Sequence, residues 1–178
     1  MADSDLLRGV LDLINETLTT TIVILAASIL LYNLSRRTHD RVTRAASIVL
    51  ACVVVSYTAD VFVSLDPGGN KYVESYLRLQ WIGIAYIPAA LFHLSDALLA
   101  TTGRPSRGRR RFVIRISYLI STVFMVLALF TDYVVTDPVL GEMARMRPAA
   151  GFAVYTAFLL VVGAVALVNV ARARRRCL

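Results

Sequence analysis

Charged residues are scarce, cysteines number two, and lysine is missing from every long apolar stretch of this 178-residue chain. With 17% charged against 57% hydrophobic residues, an ordinary water-soluble surface is excluded, because such a chain would expose too much apolar area. Cys52 falls in an apolar stretch and Cys177 in a basic tail, so the two cannot pair within one chain and no disulfide framework exists. Cys177 is not fourth from the C-terminus, which excludes prenylation. Without a lysine in a span, a retinal Schiff base is excluded. No Ser/His/Asp triad, phosphate-cradling glycine loop or two-histidine metal motif is present, and no loop is long enough for a soluble catalytic domain. No cofactor, metal or catalytic residue is expected.

Long apolar runs are abundant. Five of them, Leu13–Leu34, Thr43–Leu65, Tyr76–Ala100, Phe112–Tyr133 and Pro148–Val170, each approach the ~20 residues that a helix needs to cross ~30 Å of hydrocarbon. Segments such as Ile22–Leu31 and Phe158–Leu167 are apolar on both faces, which suits helices and not the alternating strands of a barrel. The expected fold is an all-α integral membrane bundle of five transmembrane helices forming one domain. Turn signals at Asp66-Pro67-Gly68-Gly69-Asn70 and at Thr102–Gly108 separate the spans, and short loops make sequential helices antiparallel neighbours.

The arginines fall on alternate loops. Fourteen of the 19 basic residues follow spans one, three and five, leaving twelve net positive charges on that side and five net negative on the other. The positive-inside rule therefore places the N-terminus outside and the C-terminus in the cytoplasm. Because these residues are juxtamembrane and lack interleaved aromatics, anionic lipid head groups explain them better than nucleic acid does. The acidic N-terminus has no basic n-region, and the first run is too long for a signal-peptide core, so it is read as a retained span.

Ionisable groups inside spans carry the functional hypotheses. Asp60 shares a helical stripe with Ala45, Cys52 and Ser56, and its nearest expected cation is Arg78 on the next helix. A tether between Asp60 and Arg78 is the first reading; a ligand or proton site and a solvated Asp60 stay open. Ala85, Ala89, His93, Asp96 and Ala100 align on the third span, where Asp96 is expected to pair with Arg115 across the inner turn. His93 is read as hydrogen-bonded in that interface, with a pH- or ligand-sensing role as the alternative. Pro88 removes one backbone hydrogen bond, leaves the carbonyl of Ile84 exposed and, with Gly83 nearby, predicts a kink. Ala149, Ala153, Ala157 and Ala164 form a small-residue stripe expected at a helix contact, inside the bundle or between protomers. Tyr32, Tyr72, Tyr76, Tyr118 and Tyr133 read as interfacial anchors.

The run LQWIGIAYIPAALFHLSDALLATTG, Leu79 to Gly103, resembles the third helix of the histidine kinase N-terminal seven-helix membrane region, with Trp81, Gly83, Ala85, Pro88 and Gly103 in the family's positions. The resemblance implies a multi-pass protein of the bacterial inner membrane that serves as a sensor input. Its last helix would lead to a cytoplasmic signalling output in cis or in trans, commonly a kinase dimer. Its partners would be the lipid bilayer, a homodimer mate as an option, and that output. The chain lacks two of the family's helices and every kinase feature, so the expectation is a fragment truncated after the fifth helix or a degenerate copy, without catalysis of its own. Only a full-length form could be a histidine kinase. A small transport or channel component using Asp60, His93 and Asp96 is the alternative, followed by a membrane enzyme or assembly factor.

Overall fold

The computed structural model describes residues 2–35, 40–65, 70–102, 108–139 and 144–177. They form α1 (Ala2–Ser35), α2 (Arg41–Leu65), α3 (Asn70–Thr101), α4 (Gly108–Phe130) and α5 (Phe152–Cys177), with a hairpin of β1 (Val135–Val139) and β2 (Arg145–Pro148) between α4 and α5. Each helix holds a segment of 23 to 30 residues that is long and apolar enough to cross a membrane, the architecture of a multi-pass membrane protein. Large apolar side chains such as Leu18, Ile24, Leu119, Leu160 and Leu167 point outward, as lipid-facing residues do.

Helix α3 is the centre. Within its apolar segment 56% is buried, against 6% for α1, which packs chiefly on α2. Three stripes of α3 meet three neighbours. Gln80 and Gly83 face α2, Arg78, Tyr86 and His93 face α4, and Trp81, Ile84 and Ser95 face α5. At Gly83 the α2 backbone comes so close that a Cβ would collide with Ser56 Oγ and the Cys52 carbonyl oxygen. Ala45, Cys52, Ser56 and Ala59 of α2 are correspondingly buried, so this small-residue stripe does face protein. Asp40 starts α2: its Oδ1 accepts the Arg41 amide at 2.7 Å and its carbonyl accepts that of Arg44 at 3.0 Å.

The hairpin corrects the expected spans. Helix α4 stops at Phe130, short of Tyr133, and α5 starts at Phe152, beyond Pro148. The strands pair antiparallel with Val135 opposite Pro148, and a bulge between Thr136 and Pro138 accommodates the proline that cannot donate to the ladder. Val134 and Val135 are buried against Trp81, Ala85, Phe124, Ala128 and Tyr155, the main core cluster. Trp81 and Phe124 meet the Tyr155 ring edge-on, with centroids 5.3 and 5.4 Å away. Gly151 closes the junction, donating its amide to the Tyr133 carbonyl at 2.8 Å; a Cβ there would lie 2.8 Å from that same oxygen.

Among the described side chains of α5 the buried ones are Tyr155, Ala166 and Ala173, and Gly151 just before the helix is buried too. Ala153, Ala157 and Ala164 are exposed, so of the two contacts open to the alanine stripe the one inside the bundle is not made.

Candidate functional site

Both ends of α3 carry an ion pair to α4, and neither is the expected pair. Arg78 does not tether Asp60. Its guanidinium donates to Asp132 Oδ1 at 2.6 Å, to Glu74 Oε1 at 2.9 Å, and to the carbonyls of Ala128 and Thr131 at 3.0 and 3.3 Å. Ala128 lies in the last turn of α4 and Thr131 just beyond it, where acceptors lack helical partners and the helix dipole favours a cation. Asp60 accepts instead from Gln80 Nε2 at 2.9 Å. The reason is angular: Gln80 lies on the α2-facing stripe with Gly83, whereas Arg78 lies seven residues before Ala85 on the α4 side.

At the other end Asp96 meets Arg110, not Arg115, with Nη1 and Oδ1 3.7 Å apart. Arg110 shares the inward stripe of α4 with Ile114 and Ser117, while Arg115 is rotated off it and exposed. Arg115 nonetheless reaches the same place, because both it and Asp96 line a cavity of about 320 Å³. Helix α2 contributes Arg41 and Arg44 to the lining, α3 contributes His93, Asp96, Ala97 and Ala100, and α4 contributes Arg111, Ile114 and Arg115. The cavity forms where α2 and α4 flank the end of α3. Of the five polar residues singled out in the sequence, it gathers His93, Asp96 and Arg115 and leaves out Asp60 and Arg78.

His93 Nδ1 meets Tyr118 Oη at 3.2 Å, so Tyr118 is a bundle residue and not the interfacial anchor expected. Tyr86 Oη and Thr122 Oγ1 form a second α3–α4 hydrogen bond at 2.9 Å. Asn169 Nδ2 of α5 reaches Ser95 Oγ at 3.4 Å, beside Asp96.

Pro88 lies within α3, and the Ile84 carbonyl that it leaves without a helical donor accepts Tyr155 Oη of α5 at 2.8 Å. The sequence shows the orphaned carbonyl but not its donor, because Tyr155 sits 71 residues away on another helix. Arg110 and Gln80 were equally legible as residues and missed as partners; the signal that finds them is the helical phase of each stripe. Among the described residues no group of three His, Cys, Asp or Glu side chains comes together to hold a metal. Comparison of the chain with protein-family models, with curated proteins and with solved structures finds no match.

Proposed function

We propose that this chain is a membrane-embedded input region of a bacterial signal-transduction protein of the histidine kinase type, without catalysis of its own. In this reading it sits in the inner membrane with its N-terminus outside and its arginine-rich end in the cytoplasm. The observation that carries it is α5, which runs as one uninterrupted helix through the arginine turn to Cys177 and is joined to the cavity-lining helix by Asn169 and Ser95. A ligand that favours one arrangement of α2, α3 and α4 around the cavity shifts α3, and α5 carries that shift out of the membrane to an output. The resemblance of Leu79–Gly103 to the third helix of kinase input regions supports the same reading.

The transport alternative needs one polar path, and the ionisable groups form two. Gln80, the partner of Asp60, lies 16 residues before Asp96 on α3, which is roughly 24 Å along a helix. Between them Ala85, Ala89 and Ala90 are fully buried, and the polar groups near them, such as Tyr86 and Thr122, are neutral.

Helical transmission is testable without knowing the stimulus. The full chain is fused to a kinase core that lacks an input, with one to four alanines inserted after Ala171. Each insertion rotates the output by about 100°. Kinase activity should rise and fall with helical phase, returning near its starting value when about one turn has been added. Activity indifferent to insertion length would overturn the reading.

A further inference from the structure

We propose that the arginine-lined cavity binds a phosphate-bearing anion, held by the guanidinium groups of Arg111 and Arg115 from α4 and Arg41 and Arg44 from α2. This names the ligand class of the cavity on which the sensor reading turns.

The positive-inside rule accounts for arginines at this end, but not for their convergence. Arg172, Arg174 and Arg175 of α5 lie at the same end and take no part in the lining. Arg41 and Arg44 are three residues apart and Arg111 and Arg115 four apart, so each pair shares a helix face, and the two faces meet across one cavity. Four cations therefore line a space in which, among the described residues, Asp96 is the one acid, and Asp96 already faces Arg110. The nearby Asp40 is engaged as the cap of α2. All four guanidinium groups are exposed at the mouth of the recess, and cations gathered round one concave space attract an anion.

The helix termini point the same way. Both α2 and α4 begin at this cavity, and their N-terminal dipoles favour an anion and disfavour the arginines placed in their first turns. A local rule broken twice at one place marks a functional constraint. The chemistry of the lining narrows the anion. Every cation here is arginine, whose planar fork matches the oxygens of a phosphate group, where lysine offers a point charge. Its volume of about 320 Å³ suits a small head group, at the lower end of the ~300–1,000 Å³ range of ligand pockets.

Binding is measured on the full chain in detergent micelles, in two arms. In the first, native mass spectrometry follows titration with dioleoyl phosphatidic acid and, for comparison, dioleoyl phosphatidylcholine. In the second, calorimetry follows inorganic phosphate against chloride. The double variant Arg111→Gln/Arg115→Gln should weaken the bound probe about tenfold or more, and Arg174→Gln/Arg175→Gln, with the same change of charge at the same end, less than about twofold. That pattern with phosphatidic acid identifies a lipid head group; with inorganic phosphate it identifies a soluble ligand; either supports the site. Equal losses in the two double variants would reduce the effect to diffuse attraction and overturn it. Failure of both probes to exceed their controls would overturn it too. Emission of Trp81, buried at the far end, checks folding, and Arg115→Gln alone reads the same difference if the double change unfolds the chain. Loss of binding leaves the alanine-insertion periodicity untouched, so this inference and the sensor reading fail separately.

Discussion

At the scale of the residue, the decisive contacts repair backbone. Tyr155 supplies the donor that Pro88 removes from α3, and Arg78 supplies donors to the end of α4. A neutral hydrogen bond contributes about 1 kcal/mol net, and interhelical bonds within a membrane average about 0.6. Tyr155→Phe should therefore destabilise the full chain by about 1 kcal/mol in mixed-micelle denaturation. The diagnostic is a cycle with Pro88→Ala, which returns an amide to the Ile84 carbonyl. In that background Tyr155→Phe should lose at least half of its effect. Additive costs would mean that the proline and the tyrosine are unrelated.

At the scale of the element, α3 and α4 are fixed by opposite charges at opposite ends. Arg78 and Asp96 of α3 lie 18 residues apart, about five turns, on the stripe that faces α4. They meet Asp132 at one end and Arg110 at the other. Reversing α4 would bring like charges together and sliding it would part both pairs, so the pattern selects direction and register as well as adding energy. Arg78 carries more of this than Asp132, because it also holds two carbonyls and Glu74. Arg78→Gln should lower stability by about 2 kcal/mol, Asp132→Asn by less than half of that, and Arg78→Lys should rescue little, since one ammonium cannot span four acceptors. Equal costs for Arg78→Gln and Asp132→Asn would show that the ion pair, and not the carbonyl contacts, carries the stability. The elements were legible in unequal degree. A span is a local property, a run of apolar residues long enough to cross, and all five were read. The hairpin is not local. Its strands are five and four residues long, one is interrupted by Pro138, and what holds them is burial of Val134 and Val135 against rings from α3, α4 and α5. Asp137-Pro138 alone carries a loop signal, because the bulge that makes it tolerable depends on the partner strand. The cavity was half legible: His93, Asp96 and Arg115 carried the signal of charge near a span. Arg41, Arg44 and Arg111 looked like topology signals until the packing of α2 and α4 around α3 brought them together.

At the scale of the whole molecule the two ends differ in kind. One end is closed by the hairpin over an aromatic core, and the other opens into the arginine-lined cavity between α2 and α4. The arginine bias predicts which faces the cytoplasm. In a Cys52→Ala/Cys177→Ser background, a single cysteine at Asp137 should react with a membrane-impermeant maleimide on intact cells, and one at Arg174 only after permeabilisation. The reverse pattern would invert the protein. The periphery is loose by comparison, since α1 leans chiefly on α2 and presents most of its apolar surface outward.

The bond between Tyr155 and Ile84 also has a meaning in time. Chains emerge N-terminus first at about 5–20 residues per second, so the 71 residues that separate acceptor from donor amount to several seconds of synthesis. Throughout that interval α3 carries a carbonyl that its own helix cannot satisfy, and leaving such a group in hydrocarbon costs several kcal/mol. The third helix is thus ill-suited to be released alone into lipid. The bond that completes it becomes available only once the fifth helix has been made.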